Sequence, residues 1–226
     1  RYDFGAPRLA LSWQPAKAWQ AFASWAYASR EPAFRDLYDA EGVGSVPLYG
    51  RVNVVAGTYA DPLVRPEHVQ DYELGGAWHG KQSSCTANLY RMDFRDELVF
   101  AGQFDTDLGY PILGNAARSV HQGVELAAAT SRRFARGVEV GLDGNTTLSD
   151  NHFVEFRESY GPTPADQVAY DGKPLGFLPA IMANGAARIA WRGVSARIEA
   201  QHAGRIFVDN TGTGASSIAP RTVWNA

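Results

Sequence analysis

The stretch Gly137-Val138-Glu139-Val140-Gly141-Leu142-Asp143-Gly144-Asn145-Thr146-Thr147-Leu148 decides the fold. Val138, Val140, Leu142, Gly144, Thr146 and Leu148 alternate with Glu139, Gly141, Asp143, Asn145 and Thr147. A period of two belongs to an extended strand with one apolar and one polar face. Val194 to Arg205 repeats the pattern, with Val194, Ala196, Ile198 and Ala200 opposing Ser195, Arg197, Glu199, Gln201 and Arg205. Working outward, Trp19, Ala21, Ala23, Trp25 and Tyr27 oppose Gln20, Ser24 and Arg30, with Phe22 out of phase. Tyr72, Leu74 and Trp78 oppose Asp71, Glu73 and His79, and Tyr90, Met92 and Phe94 oppose Arg91, Asp93 and Arg95. Val120, Val124 and Leu126 oppose His121 and Glu125, with Gln122 out of phase, and Ala183, Gly185, Ala187, Ile189 and Trp191 oppose Asn184 and Arg188.

These runs match the roughly 9 to 11 residues that a tilted strand needs to cross a bilayer, longer than the about 5 or 6 of ordinary soluble strands. They predict strands near 7–14, 18–30, 68–79, 85–95, 119–130, 138–148, 179–191 and 194–206, with another starting near Ile218. The joints alternate in length. Pro15 to Lys17, Gly80 to Ser84, Ser131 to Gly137 and Arg192-Gly193 are short, whereas Glu31 to Pro66, Asp96 to Arg118, Asp150 to Phe177 and Val208 to Ser217 are long. Outer-membrane barrels sort joints in this way, with tight turns in the periplasm and long loops outside. The expected fold is an all-β, antiparallel transmembrane β-barrel, partial, with its apolar face toward the lipid bilayer and its polar face toward the lumen. Trp19, Trp78, Tyr90 and Trp191, near strand ends, are expected in the interfacial girdles.

Composition sets the exclusions. The chain of 226 residues has no apolar stretch approaching the roughly 20 residues of a spanning helix. Its 21 basic and 24 acidic residues are interleaved, leaving no basic face for phosphates, so nucleic acid is not an expected partner. Cys85 is the single cysteine, which excludes an internal disulfide and a thiolate metal cage. His68, His79, His121, His152 and His202 have no metal-ligand spacing, there is no G-x-S-x-G, and Thr211-Gly212-Thr213-Gly214-Ala215 lacks the lysine of a phosphate cradle. No metal, cofactor or catalytic residue is expected. Asn145-Thr146-Thr147 matches a glycosylation acceptor, but its place in a strand makes the match accidental.

Four phrases carry a family resemblance: Tyr27 to Tyr38 (YASREPAFRDLY), Arg65 to Gly75 (RPEHVQDYELG), Asn88 to Leu98 (NLYRMDFRDEL) and Asn115 to Leu126 (NAARSVHQGVEL). In order and spacing they resemble the later part of the barrel of TonB-dependent receptors, the outer-membrane siderophore and iron-chelate receptor family. The resemblance implies a bacterial outer-membrane location, energy-coupled uptake of an iron chelate or similar scarce ligand, and a barrel of about 22 strands of which this chain supplies about 9. It also implies a plug domain and a TonB-contacting segment, neither of which is recognisable here, so residues 1–226 are expected to be a portion of the barrel truncated at both ends. The residues read by themselves leave open a passive porin, a barrel enzyme or a soluble β-sandwich binding module.

On the expected lumen face, Glu73, Glu125 and Glu139 lie beside Arg91, Arg188 and Arg197, where opposite charges pair across strands or grip a plug. Gly75 and Gly123 leave room for a bulky neighbour or for plug backbone. In the long loops, Arg35, Tyr38, Tyr49, Arg51, Tyr59, Phe104, Tyr110 and His152 supply cations and aromatics suited to an anionic, catechol or carboxylate iron chelate.

Overall fold

The computed structural model describes residues 2–33, 37–39, 46–47, 49–53, 58–62, 64–104, 111–159 and 167–226. Nine of its strands form one sheet: β1 (Arg8–Ala16), β2 (Trp19–Arg30), β3 (Glu67–His79), β4 (Ser83–Phe104), β5 (Pro111–Arg133), β6 (Glu139–Glu155), β7 (Ile181–Trp191), β8 (Val194–Ala203) and β9 (Arg221–Asn225). Each pairs antiparallel with the next in chain order, an uninterrupted up-and-down meander. Four two-stranded ribbons lie in the long connections, at Tyr38–Asp39 with Val46–Pro47, Tyr49–Asn53 with Thr58–Pro62, Arg157–Ser159 with Gln167–Ala169, and Ile206–Phe207 with Ser217–Ile218.

Register shows how the two faces differ, because residues directly opposite one another share a face. One row runs Leu11, Ala23, Leu74, Leu89, Val124, Leu148 and Ile181 across seven strands. Among the described residues no second layer covers it: Leu11 is 71 %, Leu74 58 % and Leu89 51 % exposed. On the opposite face the corresponding rows hold Ser24, Glu73, Tyr90, Gly123 and Ser149, then Gly75, Asn88, Glu125 and Thr147. A water-soluble sandwich would bury the leucine face, so the sandwich reading is overturned; an apolar band on the outside of a sheet fits lipid. The described apolar core is small, consisting of Val99, Ala116, Phe153, Phe156, Tyr170 and Leu175 at the long-loop end.

The register also corrects one strand. Tyr90, Met92 and Phe94 lie on the polar face, and Arg91, Asp93 and Arg95 on the face that carries Leu89 and Leu74. Polarity inverts along the strand rather than across it. The row above the leucines reads Leu9, Trp25, Tyr72, Arg91, Gln122 and Asp150, where the outer face has left the hydrocarbon and polar groups become favourable. This height explains the out-of-phase Gln122 as well. It also removes Tyr90 from the girdle, whereas Trp19, Trp78 and Trp191 are on the apolar face.

Two expected loops are shorter than the sequence pattern implied. β4 and β5 continue past Arg95 and Arg118 as a paired extension that reaches Phe104 and Pro111, and β6 runs to Glu155 rather than ending near Leu148. Asp96 at φ 51 interrupts the alternation at the base of that extension, so the period of two is lost although the pairing continues.

Candidate functional site

Two carboxylates stand at mid-height on the polar face, on either side of β4. Glu73 accepts a hydrogen bond from the Ser24 hydroxyl at 3.3 Å, and Glu125 one from the Asn88 amide at 3.3 Å. Among the described residues neither pairs with a cation. The two rows mirror each other: Glu73 faces Tyr90, which faces Gly123, and Gly75 faces Asn88, which faces Glu125. Both glycine spaces are filled by rings. A Cβ on Gly75 would meet the Phe22 ring at 2.4 Å, and one on Gly123 would meet the Tyr90 hydroxyl at 2.8 Å and the Leu148 carbonyl at 2.3 Å. The glycines thus accommodate a bulky neighbour, Phe22 of β2 over Gly75 and Tyr90 of β4 over Gly123.

The expected pairings of these acids with Arg91, Arg188 and Arg197 do not form. Arg197 makes a fork to both oxygens of Asp143, at 3.1 and 3.2 Å, and also bonds Glu199. Glu139 pairs with Arg133 at 3.3 Å, and Arg188 has no carboxylate in reach among the described residues. Arg91 pairs with Asp93 at 2.8 Å and donates to Gln122, on the other face of the sheet. Sequence alternation placed Glu73, Glu125, Glu139, Arg188 and Arg197 on one face, but partner choice follows register, which one strand's pattern does not contain.

Nearer the long loops, a polar cluster ties the β4–β5 extension to the wall. Glu97 is nearly buried and accepts the hydroxyl of Ser119, and its other oxygen lies 2.9 Å from His121 Nε2. The His121 ring packs on Phe94 with centroids 4.9 Å apart. Glu67 pairs with Arg30 at 2.9 Å and accepts the Leu98 N–H at 3.0 Å. Asn115 bonds the backbone of Arg65 and the carbonyl of Asp96. The sequence reading missed Glu67, Glu97 and Ser119 as a group because they come from distant segments. Their only signal was a run of carboxylates beside the strand break at Asp96.

Of the expected ligand-contacting residues, Arg35 and Tyr110 lie outside the described residues. Tyr38, Tyr49, Arg51, Tyr59 and Phe104 are in described strands, but their side chains fall outside what is described. His152 is a strand residue of β6, not a loop residue. It shares its face with Asp150, whose carboxylate is 3.2 Å from its Nδ1, and its backbone bridges Pro174. It lies on the outer side of the wall, away from the lumen. The loop after β6 is folded back by Phe153, Phe156 and Tyr170, which stack in series, and by the Asp171 carboxylate accepting the Phe156 N–H at 3.0 Å. Among the described residues no group of three or more His, Cys, Asp or Glu is placed to hold a metal ion.

In the loop before β9, Thr211 N–H and hydroxyl both donate to Asp209, at 2.9 and 2.6 Å. Burial pushes the Asp209 carboxyl up, but the hydroxyls of Thr211 and Ser216 and the Thr211 N–H outweigh it and hold the group below its ordinary value.

This architecture, a meander with a lipid-type face, short turns at one end and folded loops at the other, can be compared with known proteins. A search of curated proteins returns no match. Among solved structures, the copper transporter OprC is similar, at 13 % identity and a TM-score of 0.65 over 96 % of this chain and 30 % of that one. The siderophore receptor PiuA from Acinetobacter baumannii is similar at 14 % identity and a TM-score of 0.63, over 96 % of this chain and 28 % of its own. The ferric yersiniabactin uptake receptor FyuA from Yersinia pestis is similar at 18 % identity and a TM-score of 0.58, again over 96 % of this chain and 28 % of its own. The chain thus spans under a third of the length of these structures, and at such identities the likeness concerns the fold. The family model described as TonB dependent receptor-like, beta-barrel matches residues 1–226. The chain therefore belongs to the TonB-dependent receptor β-barrel family, whose members are transporters of the bacterial outer membrane and not enzymes.

Proposed function

We propose that this chain forms wall and extracellular mouth of an importer that takes up an iron chelate or a similar scarce ligand by energy coupling. The observation that carries the reading is the pair Glu73 and Glu125. Two lumen-facing carboxylates with no cation in ion-pair reach among the described residues suit a basic surface held inside the barrel, and leaving both uncompensated would be costly once that space is filled. A plug domain from another part of the receptor would supply it, and a TonB-contacting segment would relay the energy. The long loops supply the ligand contacts, with Arg35, Tyr38, Tyr49, Arg51, Tyr59, Phe104 and Tyr110 offering charge and ring faces to an anionic chelate. Ferric chelate receptors among the similar structures favour iron, although a copper transporter is among them too.

The test uses the whole receptor in cells starved of iron, offered ferric catecholate, hydroxamate and carboxylate chelates and, in parallel, a cupric salt. Metal uptake that requires the receptor and an energised inner membrane is expected for one ferric chelate. Uptake falls in E73Q/E125Q while the barrel still assembles. Uptake that persists without inner-membrane energy would establish a passive pore instead, and copper-only uptake would replace the iron assignment.

A further inference from the structure

The short-turn rim carries a cationic corner that the transport reading does not use. Residues 17–18, 80–82, 134–138 and 192–193 join the strands at this end, and they contain Lys17, Lys81, Arg136 and Arg192 but no carboxylate. By barrel orientation this end is periplasmic. Two of the turns touch: the Trp191 indole N–H donates to the Arg136 carbonyl at 3.2 Å. Arg132 lies over the Phe134 ring at 5.9 Å, and Arg192 over the Trp191 ring at 4.8 Å. Arg132 shares the apolar face with Val140, its in-register partner, and Val140 faces Ile189. Arg133, the neighbour pointing to the lumen, is taken by Glu139 at 3.3 Å. Arg132, Arg136 and Arg192 have no carboxylate within ion-pair distance among the described residues.

Both turns place their arginine in an unfavourable conformation. Arg136 and Gly137 have φ of 66° and 78°, and Arg192 and Gly193 have 48° and 85°. Asn or Gly adopts a positive φ ahead of a glycine more readily than arginine does, both in the two-residue turn at 192–193 and in the longer 134–138 joint, so arginine at either place costs stability while supplying a charge. Directly above the corner the apolar face continues through Ile189, 51 % exposed, and Leu142, 53 % exposed. Guanidinium groups resting on aromatic rings at the edge of an apolar band occupy the level of lipid headgroups, and their donor geometry fits phosphate oxygens.

We propose that the Arg132, Arg136 and Arg192 corner binds the phosphate of an anionic phospholipid headgroup in the periplasmic leaflet, with that lipid's acyl chains lying over Val140, Ile189 and Leu142. The site depends on the barrel's orientation and not on its cargo. A failure here would leave import untouched, and a failure of import would leave this site in place.

The intact receptor in detergent is titrated with phosphatidylglycerol or phosphatidylcholine, and bound lipid is counted by native mass spectrometry. Phosphatidylglycerol is retained over phosphatidylcholine, and affinity falls about fivefold per arginine removed, reaching about 100-fold in R132Q/R136N/R192N. Asparagine suits both turn positions, so this variant keeps its hairpins. R118Q, a cation at the opposite rim, leaves retention unchanged. Equal retention by wild type and triple variant, equal retention of the two lipids, or the same loss in R118Q overturns the proposal. Displacement of the lipid by inorganic phosphate at equal concentration overturns the membrane assignment.

Discussion

At the scale of single residues, the side on which a group lies matters more than its chemistry. Leu142 and Asn145 are close in sequence and on opposite faces of β6. Leu142→Arg puts a cation into lipid and is expected to cost about 2 to 4 kcal/mol if the site is near mid-bilayer, whereas Asn145→Arg in the wet interior costs well under 1 kcal/mol. Reversible urea unfolding of the receptor from vesicles measures both, and equal losses would contradict the assignment of faces. Asp209 behaves differently, as an acid in an aqueous loop. Its folded value is depressed, so its contribution is present above the unfolded value of about 3.9 and is lost as pH falls through the lower folded value. Protection of the Thr211 amide against exchange, corrected for the intrinsic rate, should drop in that acid range in wild type and be low and flat in D209N.

At the scale of elements, the strands are coupled by close backbone approach and the loops by a small core of their own. Gly123 has the Leu148 carbonyl 2.3 Å from where a Cβ would stand, so Gly123→Ala must push β5 and β6 apart. The expected cost is about 1 to 3 kcal/mol, seen as a lower urea midpoint for the refolded barrel. Phe153 is fully buried under Phe156 and joins the loop after β6 to Val99 and Ala116 on the β4–β5 extension. Phe153→Ala removes the centre of that core at about 3 to 5 kcal/mol. The loss is local, because the core lies beyond the membrane wall. Limited proteolysis should cut the 156–177 connection faster in the variant, with the melting of the barrel unchanged; a fall in barrel melting would mean that the loop core supports the wall as well.

At the scale of the whole molecule, the nine-stranded sheet is open among the described residues, where β1 pairs only with β2 and β9 only with β8. Unpaired backbone groups along two edges in lipid cost several kcal/mol each, and closure is the remedy a membrane sheet has. Residues 1–226 expressed alone are therefore expected to give no compact, heat-modifiable band in detergent electrophoresis, while the intact receptor gives one. A compact species from the isolated chain would mean that the edges find each other, or find a second copy.

The alternation of β6 and β8 was enough to establish strands, faces and the two classes of joint, because side chains in an extended chain take opposite sides whatever the partner strand. The four family-like phrases likewise named the family from local sequence. What needed tertiary structure was everything set by height and register. Arg91 and Tyr90 were assigned to the wrong faces because a strand that leaves the hydrocarbon inverts its polarity without changing its period. Glu97, Ser119 and His121 met only through the pairing of β4 with β5, and the arginine corner only because the turns beyond β5 and β7 are neighbours in space. Period is a property of one chain segment, whereas depth in the membrane and choice of partner belong to the assembled sheet.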